Sequence, residues 1–367
     1  MGQVGSESRQ ETDRLRIDHH KLLFHVERVS DWLKGKTTYP IYMEISPAGS
    51  CNHRCVFCGL DFMGYQPRFL DADLLMARLT EMGSLGLKSV MFAGEGEPFL
   101  HRRMAEVVVH AKEQAGIDVA LTTNGVLMRP EVTEEILPAT TWIKISINAS
   151  TPETYAAIHG TRSQDFETVC ANMEQAVAIR ERQGASCTLG AQILLLPDNR
   201  HEVLGLACRC RDMGLDYLVV KPYSQHPQSQ HHAFESVSYD ECDGLADQLD
   251  QVRTETFQVI FRRRAMRKWD DRTRPYECCL ALPFWSYMDA GGNIWGCSVY
   301  LGDERFLYGN IRENTFAEIW QGPKRRDSLA WSMAHLDVST CRVGCRMDDV
   351  NRYLWELKHP HPHVNFI

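Results

Sequence analysis

The chain has 367 residues, 44% of them hydrophobic and 24% charged, which is typical of a globular protein with a large core. Its formal net charge of −8 argues against nucleic acid as a partner. The sequence contains no apolar run long enough to predict a membrane span, and its first residues lack the apolar core of a signal peptide, so we expect a cytoplasmic protein.

After a polar lead-in over residues 1–38, β-rich runs alternate with amphipathic helical stretches. The predicted strands are 41–45, 89–93, 119–123, 142–148, 188–196 and 217–222. The predicted helices are 70–83, with Asp71 in its first turn, 103–114, 166–182 and 201–213. Six strand–helix units in succession predict a parallel α/β sheet with helices outside, as a barrel or a doubly wound sheet. Either architecture gathers functional groups at the carboxyl ends of its strands.

The alternation ends at about Pro227, and a region with several cysteines starts near Cys278. Between them, residues 239–252 are predicted to be helical. We therefore predict three segments: the lead-in over 1–38, an α/β domain over 39–235, and a C-terminal domain with a tail over 236–367.

Thirteen irregularly spaced cysteines favour metal binding over a disulfide framework. Three of them lie in one short run after the first predicted strand: Cys51-Asn52-His53-Arg54-Cys55-Val56-Phe57-Cys58. Iron–sulfur clusters held by protein alone normally use four cysteines, so three thiolates would leave one iron open. A zinc knuckle or three unrelated cysteines are the alternatives.

The cysteine run, together with Phe92-Ala93-Gly94-Glu95-Gly96-Glu97-Pro98 after the second strand, resembles the radical S-adenosylmethionine (SAM) superfamily. The resemblance implies a partial (β/α)6 TIM-like barrel. It also implies a [4Fe–4S] cluster on Cys51, Cys55 and Cys58, with SAM at the open iron. The implied SAM contacts are Phe57 beside the adenine, the turn Gly94, Glu95, Gly96 and Glu97 at the methionine, and Ser146 and Asn148 at the ribose and carboxylate.

That resemblance also implies the chemistry. A reduced cluster would cleave SAM to methionine and a 5′-deoxyadenosyl radical, which abstracts hydrogen from a substrate carbon. The electron would come from a donor such as flavodoxin or ferredoxin.

A second set of cysteines lies near the C-terminus: Cys278, Cys279, Cys297, Cys341 and Cys345. With the glycine turn at 289–293, it resembles the SPASM domain of radical SAM enzymes, or its shortened form, the twitch domain. The resemblance implies a small α+β domain holding an auxiliary [4Fe–4S] cluster on Cys279, Cys297, Cys341 and Cys345. Cys278 could replace Cys279, and zinc could take the same four thiolates.

The sequence leaves several functions open. We favour a small hydroxylated substrate (a sugar, aminocyclitol or nucleotide sugar) undergoing oxidation, epimerisation or elimination. The lead-in is short for a peptide-recognition domain, so modification of a peptide or protein side chain is the second hypothesis. A metal-binding scaffold without catalysis is the third. Arg342, Arg346, Asp348 and Asn351 are candidate polar contacts to a substrate.

Overall fold

The computed structural model of the protein describes residues 15–240 and 242–366. Residues 1–14, the first part of the lead-in, lie outside the described residues. The expectation that the chain lacks a signal peptide rests on these residues. In the described part of the chain, no helix has the length and hydropathy needed to cross a membrane.

The strands are β1 Tyr42–Ile45, β2 Ser89–Phe92, β3 Asp118–Thr123, β4 Trp142–Ser146, β5 Thr188–Leu195, β6 Tyr217–Pro222, β7 Gln258–Phe261, β8 Trp285–Met288, β9 Asn293–Trp295 and β10 Leu307–Asn310. The helices are α1 Val26–Leu33, α2 Ala72–Ser84, α3 Met104–Glu113, α4 Pro130–Ile136, α5 Pro152–His159, α6 Gln164–Gln183, α7 Val203–Asp212, α8 Asp243–Asp250, α9 Arg263–Asp271, α10 Phe316–Gln321, α11 Pro323–His335 and α12 Asp348–Lys358.

The ten strands found in the described part of the chain belong to one sheet, in the order β10-β9-β8-β1-β2-β3-β4-β5-β6-β7. Strands β1 to β7 are parallel and adjacent in chain order. Strand β8 pairs parallel with the other side of β1, and β9 and β10 follow antiparallel. The six predicted strands and the parallel α/β architecture of the partial barrel are confirmed.

Several elements were not predicted. Strand β7 is a short run beyond the predicted domain boundary, and its pairing with β6 extends the parallel sheet. Helix α5 carries local signals at both ends: Thr151 accepts a hydrogen bond from the Thr154 backbone, Pro152 is the first helical residue, and Gly160 follows in the left-handed conformation. Asp71, expected in the first turn of α2, is instead its N-cap and accepts from the Leu74 backbone N–H at 2.8 Å.

The two faces of the sheet differ in polarity, as β4 illustrates. Ile143 and Ile145 are fully buried in the main hydrophobic core, together with apolar residues of the surrounding helices. The alternate residues Trp142, Lys144 and Ser146 lie on the opposite, inner face and are half-buried. The interior of the partial barrel is therefore the face on which polar side chains are available.

Apolar side chains cover part of the inner face, from Tyr42, Trp142 and Tyr217 at the first positions of their strands to Ala93 just after β2. They form two small clusters: Met91, Ala93 and Ala120 with Tyr42 and Trp142, and Tyr217, Val219 and Ile260 with Leu15 and Ile17. Leu15 and Ile17 belong to the lead-in, so this segment packs inside the barrel. We call these two clusters the apolar floor of the barrel. Along β4, the polar side chains of Lys144 and Ser146 lie beyond it.

The C-terminal region is joined to the barrel by the sheet itself, because β8 lies beside β1. Its second hydrophobic core includes Trp285, Phe306 and Leu354, along with Leu22 and Val29 from the lead-in. The boundary at residue 235 stays a prediction, and the sheet continues beyond it in both β7 and β8.

Candidate functional site

The loop after β1 carries the three-cysteine run and is tied to the end of α5. The Arg54 backbone N–H donates to the His159 carbonyl at 2.9 Å, and the Val56 N–H donates to the Ile158 carbonyl at 3.0 Å. Gly160 completes this contact, since a Cβ there would lie 2.4 Å from the Arg54 carbonyl oxygen. These bonds fix the middle of the segment that contains Cys51, Cys55 and Cys58.

Each of the three thiols has a hydrogen-bonding group of the protein beside it. The His53 backbone N–H lies 3.5 Å from Cys51 Sγ, His159 Nδ1 lies 3.3 Å from Cys55 Sγ, and the Tyr65 hydroxyl is hydrogen-bonded to Cys58. Burial raises the pKa of all three thiols, that of Cys51 to about 12. Thiolate ligands at this position therefore require a nearby positive charge such as a metal centre.

The spacing of the sulfur atoms bears on the zinc alternative. A tetrahedral zinc site with Zn–S bonds of about 2.3 Å brings its sulfurs to about 3.8 Å from one another. Among the described residues, only His53, Cys55 and His159 form a group of three or more metal-ligand atoms within 4.8 Å of each other. Neither cysteine set is gathered that closely, so both are spaced more widely than a single zinc ion requires.

The turn after β2 packs directly against the chain that enters the cysteine loop. A Cβ on Gly96 would lie 2.2 Å from the Ser50 carbonyl oxygen and 2.3 Å from that of Ala48. The Glu97 backbone N–H donates to the Ser50 carbonyl at 2.9 Å. Gly94 has φ +110°, a conformation that disfavours any side chain. Glycines are needed here because two backbones approach closely, one residue away from Cys51.

The two carboxylates of this turn are held by the protein. Glu95 accepts from Arg68 Nη2 at 2.8 Å and from the Ala290 backbone N–H at 2.7 Å. Glu97 accepts from Thr123 Oγ1 at 2.6 Å and from a backbone N–H at the end of β3. Burial raises the pKa of both carboxyl groups. The part of the turn that remains for a ligand is its backbone, the contact expected from the sequence.

The residues expected at the end of β4 differ in what they offer to a ligand. Asn148 is fully buried with φ +55°, and its Oδ1 accepts from the Leu194 backbone N–H at 2.8 Å. It also donates to Ser146 Oγ at 3.1 Å, which accepts from Gln192 Nε2 at 3.0 Å. Asn148 thus supports Ser146, which is half-buried on the inner face. Phe57 packs edge-on against His159, with the ring centroids 5.6 Å apart.

Gln192 is a polar side chain whose role the sequence did not reveal. It lies on the inner face of β5, paired in register with Ser146. Its Oε1 is buried and lacks a hydrogen-bond partner within the described residues. An orphaned acceptor is unfavourable in a folded protein, so this oxygen, next to Ser146, is available to a donor on a bound molecule.

Four of the five C-terminal cysteines line one cavity. Its walls include Cys279, Cys297, Cys341 and Cys345, and the surrounding side chains are largely apolar, among them Leu282, Trp285, Phe306 and Leu336. Cys278 does not line it. The geometry thus favours Cys279 over its neighbour as the fourth member of the set.

Hydrogen-bond donors also surround these four sulfurs. The nearest groups are Asn351 Nδ2 at 3.5 Å from Cys279, the Val299 N–H at 3.4 Å from Cys297, the Tyr300 hydroxyl at 3.3 Å from Cys341 and the Met347 N–H at 3.4 Å from Cys345. Burial raises the pKa of all four thiols. Hydrogen bonds to cluster sulfurs are a recognised means of setting cluster potential, and this donor set fits such a group.

The four candidate substrate contacts near the C-terminus are all engaged within the protein. Arg342 donates to the Ser224 carbonyl and hydroxyl, and Arg346 pairs with Glu44 at 2.6 Å. Asp348 accepts from Arg352, Lys268 and Tyr276, and Asn351 accepts from the backbone N–H groups of Leu280 and Ala281. These residues support the fold around the two sites.

Comparison with known families agrees with this arrangement. Residues 45–207 match the radical SAM superfamily, and residues 278–346 match SPASM, described as an iron–sulfur cluster-binding domain. The first match begins at the last residue of β1 and covers the cysteine loop and β2 to β5, and the second contains the four cysteines of the cavity.

Among curated proteins, the chain is similar to a GTP 3',8-cyclase of Chlorobaculum tepidum, 27% identical over 189 residues, which is 50% of this chain and 55% of the relative. A GTP 3',8-cyclase of Limosilactobacillus fermentum is 32% identical over 143 residues, 38% of this chain and 42% of the relative. The chain spans about half the length of these two relatives.

Solved structures share the fold at low identity. Streptococcus suis SuiB bound to S-adenosylmethionine has a TM-score of 0.62 at 18% identity, covering 82% of this chain and 70% of that chain. The protein anSMEcpe with bound AdoMet has a TM-score of 0.57 at 15% identity, covering 87% of this chain and 95% of that chain. Radical SAM and SPASM domains imply a [4Fe–4S] cluster, SAM and an auxiliary cluster, and the two cysteine sets fit these groups. The chain is an enzyme with a radical SAM domain over residues 45–207 and a C-terminal SPASM domain over residues 278–346.

Proposed function

We propose that Cys51, Cys55 and Cys58 hold the SAM-binding cluster, and that the enzyme abstracts hydrogen from a small hydroxylated molecule. The observation that carries the first part is the difference between the two cysteine sets. Three thiols lie in one loop at the carboxyl end of β1, whereas four line a separate cavity. A set of three leaves one iron without a protein ligand, and a set of four does not.

When bound, the cluster and SAM supply a 5′-deoxyadenosyl radical that removes hydrogen from an unactivated carbon. The chain's own residues prepare the site. The Gly94–Glu97 turn offers backbone groups beside the cysteine loop, Phe57 offers a ring, and Ser146 with Gln192 offers polar groups on the inner face. The apolar floor helps to exclude water from the interior.

Cys279, Cys297, Cys341 and Cys345 are the proposed ligands of the auxiliary cluster. One four-thiol cavity supports a single cluster, as in the twitch form of the domain. We further propose an electron donor such as flavodoxin or ferredoxin and a cytoplasmic location.

The small-molecule substrate is supported by the curated relatives, whose name specifies GTP, a phosphorylated and hydroxylated small molecule. The second candidate is modification of a peptide side chain. It is favoured by the shared fold of SuiB, which has also been solved bound to its precursor peptide SuiA. Oxidation, epimerisation and elimination of the small molecule all remain compatible with the site.

The test of the cluster assignment is anaerobic reconstitution with iron and sulfide, followed by reduction with SAM present. We expect methionine and 5′-deoxyadenosine from the wild type and from Cys208→Ala, a matched control on α7 outside both sets. Replacing Cys51, Cys55 and Cys58 together with alanine should abolish both products. Replacing Cys341 and Cys345 should remove about four irons per chain and leave the first cluster in place. Product formation by the triple variant would contradict the assignment.

The substrate class is tested by deuterium transfer from labelled candidates into 5′-deoxyadenosine. Labelled sugars, aminocyclitols and nucleotide sugars are compared with labelled peptides. Transfer from a peptide alone would overturn the small-molecule proposal in favour of the second candidate.

A further inference from the structure

Two lysine side chains lie on the inner face of the partial barrel without an anionic partner. Lys144 alternates along β4 with the fully buried Ile143 and Ile145, and Lys221 follows the fully buried Val220 on β6. Neither ammonium group has a hydrogen bond, or a carboxylate within 4.0 Å, among the described residues. Lys144 Nζ lies 5.3 Å from the centroid of the Trp142 ring.

Two carboxylates on elements packed around these lysines are already engaged with arginines. Glu44, on the inner face of β1, pairs with Arg346 at 2.6 Å. Asp18, from the lead-in, pairs with Arg262 at the end of β7 at 3.0 Å. The two lysines therefore add positive charge that neither of these carboxylates neutralises.

The electrostatic effect on the lysines is consistent with this excess. Burial, followed by the charge of Arg346, lowers the pKa of Lys144 to about 7. Burial, followed by the charges of Lys144, Arg262 and Arg342, lowers the pKa of Lys221 well below its ordinary value. Like charges held together in a poorly hydrated space are costly, and strongly perturbed groups of this kind gather at functional sites.

The position of Lys144 relates it to the proposed SAM site. It lies two residues before Ser146 on the same face of β4, about 7 Å deeper in the barrel. Below it are the apolar residues of the floor, including Trp142 and Met91. A molecule anchored at Lys144 would extend from the floor toward the carboxyl ends of the strands, where Ser146 and the cysteine loop lie.

The chemistry of the two unpaired lysine side chains favours phosphate as their ligand. Guanidinium groups match carboxylates in a two-pronged geometry, but Arg346 is paired with Glu44, and Arg342 donates to the carbonyl and hydroxyl of Ser224 and keeps its charge. What remains is a pair of lysines, and a bound anion would favour the compact ammonium form of both. A phosphate group at neutral pH carries a charge of about −1.5 to −2, which two ammonium groups balance.

We propose that Lys144 and Lys221 bind the phosphate or diphosphate group of a phosphorylated small-molecule substrate. The proposal rests on the proposed function, because it specifies the substrate of the same barrel. It assigns these two residues to substrate binding and leaves SAM binding to the residues described above.

The test uses the full-length, reconstituted enzyme with SAM and inorganic pyrophosphate as the probe, followed by calorimetry. We expect pyrophosphate to bind the wild type and Lys112→Met, a surface control whose lysine pairs with Asp118. Lys144→Met and Lys221→Met should each weaken binding about 10-fold or more. Lys221→Arg, which keeps the charge, should restore part of the loss. Iron content and circular dichroism of each variant establish that it is folded.

The outcomes separate this inference from the proposed function. Substrate-free SAM cleavage is measured in the same samples and should persist in both lysine variants. If pyrophosphate fails to bind, or binds both variants like the wild type, the phosphate site is refuted while SAM cleavage stands. If the wild type does not cleave SAM, the proposed function fails whatever the probe does. If a penta-glutamate peptide binds in a lysine-dependent way and pyrophosphate does not bind, the assignment of the two lysines to phosphate is wrong and an acidic peptide is the better ligand.

Discussion

Gly96→Ala is the sharpest structural test of the contact between the β2 turn and the cysteine loop. The added methyl group would lie 2.2 Å from the Ser50 carbonyl oxygen and 2.3 Å from that of Ala48. Side-chain Cβ atoms essentially never approach other atoms closer than 3.0 Å. Both obstacles are backbone atoms, so no side-chain rotation can relieve the clash. The loop must move away from the turn by about 1 Å, immediately before Cys51.

Two consequences follow from this displacement. Overpacking of this kind typically destabilises a protein by about 1–3 kcal/mol. A misplacement of about 1 Å at a catalytic site can lower the rate about 100-fold. We therefore expect Gly96→Ala to reduce SAM cleavage about 100-fold, with iron lost from the first cluster and the auxiliary cluster preserved.

The assay is the yield of 5′-deoxyadenosine per chain under anaerobic reduction, with iron content and melting temperature measured in parallel. Gly244→Ala is the matched control, because a Cβ there would meet no atom within 4 Å and the residue lies in helix α8. It should keep full activity and gain about 0.5–1 kcal/mol of stability. A Gly96→Ala enzyme with wild-type SAM cleavage and full iron would refute the reasoning.

Three further predictions concern buried charges. Because the pKa of Lys144 is lowered to about 7, its charge destabilises the folded state at neutral pH and less at higher pH. Lys144→Met should therefore raise the melting temperature by a few degrees at pH 7 and by less at pH 9, and an equal rise at both would contradict this. Glu202→Ala should cost about 1–3 kcal/mol, because its carboxylate accepts from backbone N–H groups before α5. Burial raises the pKa of Glu202, but the hydrogen bonds to its carboxylate lower it overall. The loss of unfolding free energy in the variant, measured by urea unfolding, should therefore be full above pH 4.5 and shrink as the pH falls below it. Arg68→Ala leaves the buried Glu95 with one backbone donor and should cost about 1–3 kcal/mol in the same assay, whereas the exposed control Arg103→Ala should cost less than about 1 kcal/mol.

Much of the barrel could be predicted because its signals are local. The six predicted strands are present, and their alternation with helices was sufficient to predict a parallel sheet. The turn at Gly94–Glu97 was predicted from glycines beside a strand end. The structure then supplied the reason for one of them, since Gly96 faces the Ser50 carbonyl.

Other features depended on contacts between distant parts of the chain. Strand β7 is only four residues long, and its partner β6 ends at Pro222, 36 residues before β7 begins at Gln258. No local pattern therefore distinguished it. The roles of Glu95 and Glu97 were also hidden, because their donors belong to Arg68, Ala290 and β3. The sequence motif predicted a turn whose backbone meets a cofactor, and the structure adds that its two carboxylates join the turn to its neighbours.

By itself, the sequence determined the class of chemistry. The spacing of Cys51, Cys55 and Cys58 is a local property of one loop, and it persists whatever the rest of the chain does. Only the tertiary structure decided that Cys279, rather than Cys278, lines the cavity of the second set. It also decided that Lys144 and Lys221 share one interior with their neighbouring carboxylates already paired. Charge balance in a barrel is a sum over strands far apart in sequence, and folding alone brings those strands together.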